Sequence, residues 1–215
     1  GASVAFDNNS NKFLIVYQDA GNSNYGTAIV GTVSGTSISF GSATVFKSAA
    51  IKGARVAFDS NSNKFLVTYE SGTTGQARVG TISGTDISFG TAAKFNGTNN
   101  STVVSNCFDS TNNKVVIAWQ NTSNSNYGTA VVGTVSGTDI SFGSVVVFES
   151  ATTGGPKLVH DVGANKIVIQ YSDQGNSNYG TAIIGTISGT SISFGTASVY
   201  NSSTEYDARQ PVYDS

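Results

Sequence analysis

The sequence predicts an all-β fold of repeated four-stranded antiparallel units, and three observations carry that prediction. A ring-bearing residue followed by Asp recurs every 50 to 53 residues, as Phe6-Asp7, Phe58-Asp59, Phe108-Asp109, His160-Asp161 and Tyr213-Asp214. Self-similarity at a fixed period marks repeat architecture. Each repeat holds four runs of β-branched and aromatic residues divided by Gly, Asn and Ser, which read as strands joined by turns. Helical periodicity is absent throughout. Four antiparallel strands in each repeat match a β-propeller blade. The expectation is a single repeat domain over 1–215, a β-propeller of four blades at 4–54, 55–104, 105–156 and 157–208, with a fifth repeat starting at 209–215.

In the first repeat the strands are expected at Ser3 to Phe6, Lys12 to Gln18, Thr27 to Val33 and Ser37 to Phe46. The first connector, Asp7-Asn8-Asn9-Ser10-Asn11-Lys12, returns from Asp59, Asp109 and Asp161. Its Asp can close an Asx turn, and its last Asn can take the left-handed conformation of a tight hairpin. The spacing partly mimics a calcium loop, but the turn glycine is missing and only Glu70 falls at the terminal acidic position, so a plain turn is expected and no metal site. The second strand, Phe13-Leu14-Ile15-Val16-Tyr17 and its counterparts, is apolar on both faces and should be covered on both sides. Short Ser-Gly-Thr turns at Ser34, Ser83, Ser136 and Ser188 lead into Ile-Ser-Phe-Gly strands of period 2. Strand parity gathers the short turns on one face and the long connectors on the other, where loops carry binding residues. The second connector is shortened in repeat two, which assigns it to a hairpin within a blade and the fourth connector to the crossing between blades.

Composition narrows the function classes. Only 11% of residues are charged and the formal net charge is -2, so no basic field exists for nucleic acid or an anionic membrane surface. No apolar run is long enough for membrane insertion, and the Gly1-Ala2-Ser3 start reads as a processed or trimmed end. Cys107 is the one cysteine and excludes an intrachain disulfide. It sits where Ala5, Ala57 and Val159 sit in the other repeats and reads as a small buried residue. His160, the one histidine, occupies the slot of Phe6, Phe58 and Phe108 and reads as packing rather than as a base. No catalytic residue and no cofactor is expected. Glycoside hydrolysis, which needs two carboxyl groups, is the one enzyme class kept open by Glu70, Glu149, Glu205, Asp19 and Asp173, all expected as solvated loop charge.

The candidate ligand residues lie in the second connector. The string Asn-Ser-Asn-Tyr-Gly-Thr-Ala occurs identically from Asn22, Asn124 and Asn176. Asp19, Asn22, Asn24 and Tyr25 therefore recur as Asn124, Asn126 and Tyr127, then as Asp173, Asn176, Asn178 and Tyr179. Amides beside an aromatic ring suit sugar hydroxyls and the apolar face of a pyranose. The competing reading is that Tyr packs over the loop and Asn satisfies turn backbone.

The strings VGTVSGTSISFG from Val30 and AFDSNSNKF from Ala57 resemble tandem repeats of phage tail-fibre and bacterial surface proteins. The resemblance covers nearly the whole chain and implies an exposed adhesive or receptor-facing role, extracellular or on a virion or cell surface, with no ligand motif attached. The function expected from the sequence is a non-enzymatic, lectin-like recognition module whose partner is a cell-surface glycan or other surface receptor. Its several weak sites would gain strength by multivalency. A structural or self-associating fibre element, forming a homo-oligomer, is the alternative.

Overall fold

A computed structural model describes residues 1–96 and 101–205, with the backbone alone for 101–103. Apart from two short 3-10 turns, the regular structure is strand. The first unit contains β1 (Ala2–Asp7), β2 (Lys12–Asp19), β3 (Tyr25–Ser34) and β4 (Ser37–Phe40), and closes with the first half of β5 (Thr44–Asp59). The second half of β5 opens unit two, followed by β6 (Lys64–Ser71), β7 (Thr74–Ser83), β8 (Asp86–Phe89) and β9 (Ala93–Lys94). Unit three comprises β10 (Ser101–Asp109), β11 (Lys114–Asn121), β12 (Tyr127–Ser136), β13 (Asp139–Phe142) and the first half of β14 (Val146–Asp161). Unit four runs from the rest of β14 through β15 (Lys166–Asp173), β16 (Tyr179–Ser188), β17 (Ser191–Phe194) and β18 (Ser198–Thr204).

All pairings are antiparallel. Because β5 pairs with both β3 and β6, and β14 with both β12 and β15, the units are joined pairwise into two nine-stranded sheets. The second connector is a hairpin between β2 and β3, and the crossing is made by the long strand that follows. The outermost position of each unit is split, so that β3 pairs with β4 along one half and with β5 along the other.

Local chemistry explains the turns. Asp7 Oδ1 accepts the backbone N–H groups of Asn9 at 2.8 Å and Ser10 at 3.2 Å, and Oδ2 accepts the Ser10 hydroxyl at 2.5 Å. Asp59 and Asp109 repeat the arrangement, and Asp161 keeps the contact to Ala164 N. Asn11, Asn63, Asn113 and Asn165 have φ between 53° and 59°, a left-handed backbone that Asn tolerates through its short polar side chain. The Ser-Gly-Thr hairpins place Gly35, Gly84, Gly137 and Gly189 at φ 59° to 62°, the type II′ pattern of a two-residue loop.

The core lies between units. Leu14, Val16, Ala28, Val30 and Phe46 of unit one pack against Val56, Phe65, Val67, Tyr69 and Ile87 of unit two. The next joint sets Leu66, Val79 and Phe95 against Ile117, Trp119 and Ile140, and the last sets Val116, Val132 and Phe148 against Ile167, Tyr171 and Ile192. Units two and three are thus covered on both faces, as the doubly apolar β6 and β11 require. In contrast, β2 and β15 of units one and four are covered by a neighbouring unit on one face alone, so the expectation of two-sided cover holds for the middle units and not for the outer ones. A three-ring cluster locks every joint: Phe46 lies 5.2 Å from Tyr69 and 5.5 Å from Phe89, Phe95 lies 5.2 Å from Trp119 and 6.3 Å from Phe142, and Phe148 lies 5.3 Å from Tyr171 and 5.7 Å from Phe194. On the short-turn face, amides tie neighbours together: Asn9 Nδ2 donates to Asn63 Oδ1 at 2.9 Å, Asn61 Nδ2 to Ser110 O at 3.0 Å, and Asn112 Nδ2 to Asn165 Oδ1 at 2.9 Å.

The opening strand of each unit lies against that of the next, from β1 through β5 and β10 to β14. Among the described residues no comparable contact brings β14 back to β1, so the two sheets do not close on each other. The expected fifth start at 209–215 falls outside the described residues.

Candidate functional site

The second connector has the same skeleton in units one and four. Asp19 caps a 3-10 turn at Ala20–Asn22 by accepting from Gly21 N at 3.1 Å, and Asp173 caps the turn at Gln174–Asn176 by accepting from Gly175 N and Asn176 N. In unit three Asn121 takes the capping role towards Ser123 N at 3.2 Å. Two consecutive left-handed residues follow in each case: Ser23 and Asn24 at φ 53° and 61°, Ser125 and Asn126 at 52° and 61°, Ser177 and Asn178 at 57° and 59°. The carbonyls of these Asn residues then hold the strand that ends the unit, Asn24 O accepting from Ile51 N at 3.0 Å, Asn126 O from Thr153 N at 3.1 Å and Asn178 O from Glu205 N at 2.8 Å.

The expected ligand residues therefore have defined local tasks. Asp19 and Asp173 are caps, and Asn24, Asn126 and Asn178 supply left-handed backbone. Tyr25, Tyr127 and Tyr179 are half-buried, paired across to Ala50, Thr152 and Thr204. Asn22, Asn124 and Asn176 are exposed at the loop tips. Each copy is tied to the terminal strand of its own unit.

A cleft of about 350 Å³ opens on the long-connector face at the joint between units one and two, lined by Gln18, Asn24, Ala50, Ile51, Lys52, Glu70 and Gly72. Asn24 alone of the eleven candidate residues reaches it. Where units one, three and four carry the long connector, unit two has a two-residue hairpin turn at Gly72-Thr73, and Gly72 of that turn forms part of the cleft lining. Its floor is the crossing strand, where Lys52 and Glu70 are direct cross-strand partners. Glu70 is 7% exposed, in place of the solvated loop charge expected of it. Gln18 and Glu70 fill the same register position in successive units, one after the aromatic residue of the second strand. The cleft thus combines two amides, one carboxylate and one ammonium, a set that can donate to and accept from hydroxyl groups, while the Ile51 side chain beneath it is turned into the core.

A shorter list of groups is held inside the protein. His160 is buried, with Nε2 3.1 Å from Asp109 Oδ1 across the joint between units three and four, close but not aligned as a hydrogen bond. Cys107 is buried in the same joint, and burial followed by the charge of Asp109 pushes its thiol pKa upward, so it stays protonated and unreactive. Glu149 accepts the Tyr171 hydroxyl at 2.9 Å and Ala151 N at 3.0 Å. Burial, then that hydrogen bond, raises the Tyr171 pKa. Among the described residues no group of three His, Cys, Asp or Glu is arranged to hold a metal ion.

An all-β chain of face-packed antiparallel units with a polar inter-unit cleft is the class that fold and site define. No protein-family model and no curated protein matches the chain. Two solved structures share its fold: an exo-β-1,3-galactanase from Phanerochaete chrysosporium with galactose, at TM-score 0.57 and 12% identity, and a variant of that enzyme with β-1,3-galactotriose, at TM-score 0.57 and 11% identity. Each match covers 92% of this chain and 49% of the other, so the chain spans about half the length of these proteins.

Proposed function

We propose that the protein is a carbohydrate-recognition module, a β-propeller of four blades that binds sugar hydroxyls on its long-connector face, chiefly in the cleft between the first two blades. The observation that carries this reading is the cleft itself: Gln18, Asn24, Lys52 and Glu70 converge at a joint where the neighbouring connector is cut back. Its volume suits a small ligand of one to a few sugar rings. The propeller reading is supported by the sequential packing of β1, β5, β10 and β14 and by the fold shared with the galactanase. The exposed Asn22, Asn124 and Asn176, with Tyr25, Tyr127 and Tyr179, add weaker contacts beside the cleft or in the equivalent loops, and an adhesive surface role follows from several such sites acting together.

The test is a glycan array followed by calorimetry with galactose and β-1,3-linked galacto-oligosaccharides. Glu70→Gln and Asn24→Ala should weaken binding by about tenfold each, the scale of one hydrogen bond to a charged or amide group. Binding that survives both changes but is lost in Tyr25→Ala, Tyr127→Ala and Tyr179→Ala together would move the site to the repeated loops. Failure of the wild-type protein to bind any glycan would overturn the reading.

Galactan cleavage is a second reading, supported by Glu70 within the cleft and by the galactanase fold. It requires a second carboxyl group, and Glu149 is engaged by Tyr171 and Ala151 while Asp19 and Asp173 cap turns. Release of reducing sugar, abolished in Glu70→Gln, would establish it over simple binding.

A further inference from the structure

The three internal joints are built to one plan, and the two ends of the array each carry half of it. At every joint the ring of the outer strand (Phe46, Phe95, Phe148) inserts between two rings of the next unit. Tyr200 of β18 is the fourth member of that series by register and is 51% exposed, whereas Phe46 and Phe95 are 2% exposed. The two rings that would receive it, Tyr17 and Phe40, stand on the outer face of unit one, where Phe40 is 53% exposed. Ile38 beside it is 57% exposed, while its counterparts Ile87, Ile140 and Ile192 are 4% to 8% exposed.

A backbone contact tells the same story. A Cβ at Gly41 would lie 2.0 Å from the Thr85 carbonyl oxygen, one at Gly90 1.9 Å from that of Thr138, and one at Gly143 1.9 Å from that of Thr190, so glycine is required where the next unit's short turn presses in. Gly195 completes the series, yet a Cβ there would meet only Ile184 O of its own unit, at 3.9 Å. Thr36 is the turn residue of unit one that corresponds to Thr85, Thr138 and Thr190, and among the described residues no glycine of a preceding unit lies against it within the chain.

We infer that unit four of one molecule docks on unit one of a second copy, Tyr200 entering between Tyr17 and Phe40 and Thr36 seating on Gly195. The two faces are complementary because each repeats a face that already packs on the other kind three times within the chain. The contact is heterologous, head to tail, so it joins further copies into a larger ring or a filament instead of stopping at a two-fold dimer. The amide bridge of the short-turn face is absent from this joint, since unit four carries Gly163 where the donors Asn9 and Asn61 stand and Ala164 where the donor Asn112 stands, which makes the contact weaker than the internal ones and reversible on dilution.

Light scattering on the full chain over a dilution series tests the inference. The wild-type mass should climb above the monomer value with concentration. Phe40→Lys removes the head and Tyr200→Lys the tail, and each should remain monomeric where the wild type associates. An equimolar mixture of the two should recover a species of twice the monomer mass and no larger, because one intact tail meets one intact head. Gly195→Val gives an independent arm, since within the monomer a Cβ there would make only an ordinary contact with Ile184 O at 3.9 Å: it should keep the wild-type melting curve while abolishing association. Wild-type protein that is monomeric at every concentration, association of either lysine variant alone, or a mixture that stays monomeric would each overturn the proposal; the first of these, with a melting temperature lowered in both lysine variants, would assign the two faces to closure within one chain.

Discussion

Phe46→Ala compared with Tyr200→Ala measures how much a completed joint contributes to stability. Phe46 is buried between Tyr69 and Phe89 at ring-centroid distances of 5.2 Å and 5.5 Å. Truncating a fully buried Phe costs about 3–5 kcal/mol, which contains the aromatic pair contributions of about 0.5–1.5 kcal/mol each. Tyr200 has half of its surface in water, and its hydroxyl donates to Glu205 Oε2 at 2.9 Å, so the same truncation should cost under about 1 kcal/mol in dilute solution. Urea unfolding followed by circular dichroism gives both values, and Trp119, fully buried in unit three, supplies an independent fluorescence signal. In a repeat array each joint couples nearest neighbours. If Phe46→Ala shifts the Trp119 transition as far as the circular dichroism transition, the units unfold together; if the Trp119 curve is unmoved, unit three unfolds separately from joint one. Equal losses for the two substitutions would refute the account of the joint as a three-ring lock.

Two other outcomes follow from buried groups. Tyr171 has a raised pKa because it is buried and donates to Glu149, so its contribution to stability is complete below the unfolded tyrosine value of 10.0 and declines as pH rises beyond it, when the unfolded chain alone releases the proton. Tyr171→Phe should cost about 1.5–3 kcal/mol at neutral pH and flatten the decline above pH 10, as read by denaturation at stepped pH. Cys107 should resist a thiol reagent at pH 8 in the folded protein and titrate as one equivalent in denaturant, and rapid labelling of the folded chain would contradict its place in the joint.

Much of the fold was legible because it is local and repeated. The Asp of the first connector, the left-handed Asn before each Lys and the Ser-Gly-Thr hairpins are each dictated within a few residues, and the structure places them as the pattern requires; the doubly apolar second strands are covered on both faces in units two and three only. The cleft was not legible for the opposite reason. Gln18 and Lys52 carry no motif, and they line a common cleft where the connector of the neighbouring unit is short. The signal was present as the shortened connector of repeat two together with Glu70, an acid where the other repeats carry Gln18, Gln120 and Ser172. The identical Asn-Ser-Asn-Tyr strings have a backbone task in each copy: two left-handed residues and a carbonyl that holds the strand ending the unit.

The long strands β5 and β14 belong half to one unit and half to the next. One consequence concerns how such a gene can change. Recombination between repeats that removes or adds one whole period cuts and rejoins at equivalent places, so each new junction still has a Phe46-type ring before it and a Phe89-type ring after it. Copy number can then drift without any side chain having to be redesigned, while a partial repeat is penalised at once. An array built this way can change its size by whole repeats without new packing chemistry, and the connectors, which differ in length between unit two and the others, are where copies can differ without disturbing a joint.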